Sequence, residues 1–211
     1  MIHDISLSIS ATLTIWPGDP AVRISRLSDL DKGDQVTVSE ICMGAHSGTH
    51  IDAPAHFIPG GKTIDKIDPA ILVGRALVVD VGDAEVISAE VLDGLAIPSS
   101  VERLLFRTSN SRFWRQGKTA FQENFVALDK GGAQWLASRM IRLVGVDYLS
   151  VAPFAEPDSI HTIMLARNIV VVEGLDLSAI VAGIYHFVCL PLKITGCEAA
   201  PARALLIDEP D

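Results

Sequence analysis

The sequence predicts a mixed α/β fold in one domain, on three observations. Short apolar or alternating runs, among them Ala76 to Val81, Val101 to Arg107, Leu143 to Val146 and Ile169 to Val172, read as strands. Helical stretches with capping residues fall between them, opened by Ser88 and Asp129. No repeat, linker or shift in composition divides the 211 residues, a length that one large domain accommodates.

Each element has a local reason. Ile5 to Ile9 alternates apolar and polar residues, as a half-buried strand does. Trp16-Pro17-Gly18-Asp19-Pro20 ends that pattern, because two prolines around Gly-Asp force a rigid loop. Val22 to Leu27 and Gln35 to Met43 read as a hairpin across the polar turn Asp29 to Asp34. Ala76 to Val81 is apolar except for Asp80, which fits a largely buried strand. Ser88 caps a short helix through Leu92, and Val101 to Arg107 is the next strand. Residues 109–124 are polar and aromatic and read as a long loop. Asp129 to Arg139 is a helix capped by Asp129, and Leu143 to Val146 is a strand that ends at Asp147. Asp158 or Ser159 caps a helix through Ala166, and the strand Ile169 to Val172 follows. Gly183 to Leu192 and Ala204 to Ile207 close the chain as strands.

Composition narrows the function classes. With 49% hydrophobic and 20% charged residues the chain is a packed globular protein and not a disordered one. A formal net charge of −9 argues against a nucleic-acid partner, since a phosphate backbone demands a basic face. Cys42, Cys189 and Cys197 form no C-x-x-C pair and no even framework, so buried free thiols in a reducing compartment are expected. The N-terminus reads as no signal peptide. The most apolar late run, Ala179 to Leu192, is short and interrupted by His186 and Pro191, so no membrane span is expected. The expectation is a soluble, cytoplasmic protein.

The chemistry concentrates in Gly44 to Phe57, which holds three of the six histidines, His46, His50 and His56, with Asp52 among them. Gly48, the β-branched Thr49 and Ile51, and Pro54 all disfavour a helix here. If residues 49–52 are extended, His50 and Asp52 share a face, and His46 reaches the same point from a tight turn at Gly48. The result is an N,N,O metal site, whose donors suit Zn²⁺, Mn²⁺ or Fe²⁺. His161, on the expected helix, and Glu173, at the end of an apolar strand, are two further candidates. Taken alone, His161 fits a surface or core histidine better than a ligand. Glu173 ends a buried strand and needs a partner, which a metal, an arginine or a lysine could supply. Trp16 and Phe57 are the candidate substrate-binding aromatics; Trp114 and Tyr148 could line the same pocket or belong to the core. Gly60-Gly61-Lys62-Thr63 is no phosphate loop, because His56 stands where its first glycine is required. Ser47 sits one place too late for a nucleophile elbow, and Cys42 is expected to be a small strand hydrophobe.

These residues together resemble a known family. His46-Ser47-Gly48-Thr49-His50-Ile51-Asp52-Ala53-Pro54, with His56-Phe57 behind it, is similar to the signature of the cyclase-like metal-dependent hydrolases, which include bacterial kynurenine formamidase and isatin hydrolase. Trp16-Pro17-Gly18-Asp19, Arg107-Thr108, Val144-Gly145-Val146-Asp147, the segment His161 to Glu173-Gly174-Leu175 and Leu190-Pro191-Leu192-Lys193-Ile194 extend the resemblance over nearly the whole chain. It implies a β-barrel-like mixed sheet with flanking helices, commonly a homodimer. It implies two divalent ions, Zn or Mn, per subunit: one held by His46, His50 and Asp52, the second by Asp52, His161 and Glu173. It implies His56 as the acid/base and a metal-activated water as nucleophile on a small-molecule amide, with N-formyl-L-kynurenine as the expected substrate. The alternatives are another cyclic or acyclic amide such as isatin, or a binding protein without turnover. Ala200-Pro201-Ala202-Arg203 replaces the Ser-Pro-Val-Arg frequent in formamidases, a departure that bears on substrate more than on family.

Overall fold

The computed structural model describes residues 1–209. In chain order its strands are β1 (Ile2–Asp4), β2 (Arg23–Ser28), β3 (Val38–Cys42), β4 (His50–Asp52), β5 (Val73–Asp80), β6 (Arg103–Arg107), β7 (Leu143–Val146), β8 (Val170–Glu173), β9 (Gly183–Pro191) and β10 (Ala199–Asp208). The helices are α1 (Pro69–Leu72), α2 (Ala89–Gly94), α3 (Ser111–Arg115), α4 (Lys130–Ala137) and α5 (Pro157–Leu165).

Seven strands close into a mixed barrel in the order β10-β4-β8-β7-β6-β5-β9, with β9 returning to β10. The length of β10 makes closure possible. Its first residues, Ala199 to Pro201, pair with β4, and Ala202 to Asp208 pair with β9. β5 through β8 run parallel, so each connection must cross over the sheet, and α2, α4 and α5 lie in those crossovers. β1 pairs with β10 beyond β4, while β2 and β3 form a separate antiparallel ribbon.

Period-two alternation divides the apolar residues between two layers. Leu105, Val170 and Val172 join Ile51, Phe187 and Leu206 in the barrel interior. Leu104, Phe106 and Val171 face the other way and pack with Leu92, Leu136 and Met164 of the helices. A continuous Val-Val-Val run is therefore what a strand covered on both faces requires. The expected barrel-like mixed sheet with flanking helices is the architecture observed.

Several boundaries differ. Ile5 to Ile9 is no strand, and β1 precedes it. Ile5 is nonetheless fixed, since its N–H donates to the Ala204 carbonyl and its own carbonyl accepts from Asp176. The segment 109–124 contains α3, held by Asp147 as described below. α5 begins at Pro157 after Glu156, whose side chain makes no capping bond, so the cap lies two or three residues before the expected Asp158 or Ser159. β10 starts five residues before Ala204 and includes Pro201. The Asp129 cap is as expected, accepting the Gly132 N–H at 2.7 Å. Cys42 corrects the expectation of buried thiols: it is exposed on the ribbon, whereas Cys189 is buried. Among the described residues no helix is long and apolar enough to cross a membrane.

Candidate metal centre

Two adjacent strands position most of the centre. β4 and β8 are antiparallel neighbours, with His50 directly opposite Glu173 and Asp52 opposite Val171. His50 and Asp52 share one face of β4, while Ile51 between them points into the barrel. Gly48 lies in the left-handed region at φ 68°, which turns His46 back toward Asp52. Gly174 is the matching residue after β8. Its φ is 69°, and a Cβ there would stand 2.4 Å from the Gly48 carbonyl oxygen. Thr49 fastens this crossing by donating its hydroxyl to the Gly174 carbonyl at 2.5 Å and accepting the Leu7 N–H at 2.8 Å.

The donor atoms converge. His46 Nδ1 lies 3.0 Å from Asp52 Oδ1, and His50 Nε2 lies 3.5 Å from that oxygen and 3.3 Å from Glu173 Oε2. His161, on α5, places Nε2 3.1 Å from Glu173 Oε1 and 3.7 Å from Asp52 Oδ2. They form two sets, His46, His50 and Asp52, and Asp52, His161 and Glu173, with the Asp52 carboxylate common to both. The five side chains expected from the sequence are therefore brought to one place.

The hydrogen bonds around this cluster suit cations. His50 Nδ1 donates to the Gly48 carbonyl at 2.9 Å, and His161 Nδ1 donates to the Pro157 carbonyl at 2.7 Å. Each ring then presents Nε2 to the carboxylates, the arrangement in which backbone carbonyls orient histidine ligands. His50 Nε2 and both oxygens of the fully buried Asp52 have no hydrogen-bond partner in the protein. Buried polar atoms are rarely left so, and unpaired acceptors crowded at this range need protons or a cation between them. The residues fit the binding of divalent metal on that ground.

Protonation in the protein alone agrees. Burial opposes charge on His46 and His161, but Asp52 beside the first and Glu173 beside the second outweigh it, and both are raised to about 9. Burial likewise favours neutral Asp52 and Glu173, yet the surrounding imidazoles hold both carboxyls below their usual range. Glu173 also accepts the Val151 N–H at 2.8 Å. Among the described residues no arginine or lysine pairs with Glu173; the imidazoles of His50 and His161 take that place.

His56 is placed differently from the other two histidines of the cluster. It ends a short 3₁₀ turn, Pro54–His56, with its ring 4.2 Å from that of His46 and 5.9 Å from that of His161. Burial lowers its pKa below the ordinary histidine value. A neutral imidazole beside the converging donors can accept and return a proton.

These groups open into a cavity of about 270 Å³. Trp16, Phe57, Leu149 and Pro157 give it apolar walls, and His46, His56, His161 and Glu173 line its polar side. Phe57 stacks on His161 at 4.6 Å, and Trp16 packs against Phe121 and Phe154. Trp114 and Tyr148 do not line it. They stack on each other at 5.5 Å, and the Trp114 indole N–H donates to the Asp147 carbonyl at 2.9 Å. The same Asp147 holds the end of β6 and α3 through its buried carboxylate. That carboxylate accepts the N–H and hydroxyl of both Thr108 and Ser111 at 2.6–3.1 Å.

Sequence reasoning missed Glu198, Asp19 and Ser150 as site residues. Glu198 Oε1 lies 3.5 Å from His46 Nε2, and Asp19 and Ser150 line the cavity. Nothing local marks Glu198, because only the pairing of β10 with β4 brings it to His46.

A family model described as "Putative cyclase" matches residues 3–153, and the chain belongs to this cyclase family. Among individual relatives, it is 38% identical to "Cyclase-like protein 1" of Arabidopsis thaliana over 98% of this chain and 84% of that one. It is 33% identical to a kynurenine formamidase of Bacillus cereus over 96% of this chain and 95% of the relative. A solved structure described as a potential metal-dependent hydrolase with cyclase activity superposes with a TM-score of 0.84 at 31% identity, covering 100% of this chain and 99% of that one.

Proposed function

We propose that this protein is a metal-dependent amide hydrolase that converts N-formyl-L-kynurenine to L-kynurenine and formate. The observation that carries the hydrolase reading is the pair of donor sets sharing buried Asp52, beside an aromatic-walled cavity that also holds His56. The Bacillus cereus kynurenine formamidase, similar over nearly the full length of both chains, supports the substrate.

In this reading His46, His50 and Asp52 would hold one divalent ion, and Asp52, His161 and Glu173 would hold a second. Such ions acidify water and polarise a carbonyl oxygen. His56 takes a proton from the water that attacks the formyl carbon. It returns that proton to the aryl amine nitrogen as the C–N bond breaks, so one neutral imidazole serves both halves of the reaction. Trp16 and Phe57 flank the aryl ring and exclude bulk water from one side of it. The Gly48–Gly174 crossing holds the ends of the ligand strands together, which keeps the donor side chains positioned for the reaction.

Metal-loaded protein incubated with N-formyl-L-kynurenine should release formate and kynurenine in equal amounts, with kynurenine followed by absorbance. Isatin and a simple formanilide complete the panel. Turnover of isatin alone would replace the substrate and keep the hydrolase; no turnover of any amide with Zn²⁺, Mn²⁺ or Co²⁺ would remove both.

A further inference from the structure

We infer that Asp19 makes the cavity selective for substrates that carry a cationic ammonium group beside the aryl amide. This deepens the proposed amide-hydrolase reading and rests on it. Of the acidic residues lining the cavity, Glu173 belongs to the donor cluster and only Asp19 stands outside it. Among the described residues no lysine or arginine lines the cavity, so no protein cation there neutralises Asp19. Asp19 is half-buried, and its carboxylate has no hydrogen bond or ion pair among the described residues. A substrate ammonium supplies the charge-assisted partner that the protein itself does not give this carboxylate.

The loop fixes the backbone that carries that carboxylate. The Asp19 N–H donates to the Trp16 carbonyl at 3.1 Å, closing a tight turn in which Gly18 takes φ 100°. Trp16, at the other end of the turn, is packed on Phe121 and Phe154 and forms one wall of the cavity. A flat ring against Trp16 thus has one negative charge within the same turn. An aryl amide with an ammonium-bearing side chain satisfies both features; a neutral cyclic amide satisfies only the first.

The test compares two substrates on wild type, Asp19→Asn and Asp19→Glu. One is N-formyl-L-kynurenine; the other is its deaminated analogue, with hydrogen in place of the amine. For wild type the amine should be preferred in kcat/KM, chiefly through KM. In Asp19→Asn the preference should fall about tenfold or more, the scale of one charge-assisted hydrogen bond. Asp19→Glu should restore part of it, and raising ionic strength should weaken it in wild type and Asp19→Glu but not in Asp19→Asn. Equal losses on both substrates would mark Asp19 as merely structural and overturn the inference, as would an unchanged preference. Hydrolysis of both substrates by wild type without preference would overturn it and leave the hydrolase reading standing. Hydrolysis of neither would remove the formamidase reading and the inference with it.

Discussion

At the level of single residues, three histidines within eleven positions take two different places. His46 and His50 are drawn to Asp52, which opposes the burial that would discharge His46. His56 stands beside them with its pKa lowered by burial. The division was legible only in part. Alternation along an extended chain predicts that His50 and Asp52 share a face, and β4 does this. The role of His56 came from family resemblance, since nothing in its spacing separates a ligand from a proton carrier. Asp19 and Glu198 were illegible as site residues because their neighbours come from distant segments. For His56→Ala, kcat should fall by roughly 10²–10⁴-fold, the range of general acid–base catalysis, while metal content by elemental analysis stays at the wild-type level. Loss of metal together with rate would instead place His56 among the ligands.

At the level of elements, the centre depends on how closely β4 and β8 end together. Thr49 and the two left-handed glycines make that approach possible, and sequence alone indicated only the turn at Gly48. Gly174 carries no such signal, because the atom a side chain would strike belongs to residue 48. Gly174→Ala should therefore destabilise the fold by about 1–3 kcal/mol through backbone strain, and should weaken metal uptake because Glu173 is the preceding residue. Thermal unfolding and metal titration check this; an unchanged Tm with unchanged affinity would contradict it. The strands β6, β7 and β8 were readable because burial on both faces leaves continuous apolar runs. α3 was not readable, because the Asp147 carboxylate that accepts the Ser111 N–H lies 36 residues away in the chain.

Across the whole molecule, barrel closure and the ionic centre are linked by β4, which contributes to both. Closure itself was not derivable from strand patterns, since it depends on β10 changing partners at Ala202. The centre also makes stability depend on pH. In metal-free protein His46 and His161 are raised to about 9, from about 6.5 in an unfolded chain. Their contribution is fully present below the unfolded value and is lost as pH rises through about 9. Asp52 and Glu173 are depressed, so theirs is present above the unfolded carboxylate range and is lost as pH falls through the folded values. Chelated protein should therefore be most stable in mildly acidic buffer, with a Tm at pH 9.5 lower by on the order of 5 °C than at pH 6. Equal Tm values would contradict the pairing. Metal affinity should rise over the same interval, because ions displace those protons.

The most direct test of the two-ion hydrolase is to strip the protein with a chelator, return Zn²⁺ or Mn²⁺ in measured steps, and follow formate release from N-formyl-L-kynurenine. Stripped protein should be inactive, and rate should saturate at two ions per chain, with Asp52→Ala recovering neither binding nor rate. Full activity in the stripped protein, or wild-type metal binding in Asp52→Ala, would contradict the two-ion centre.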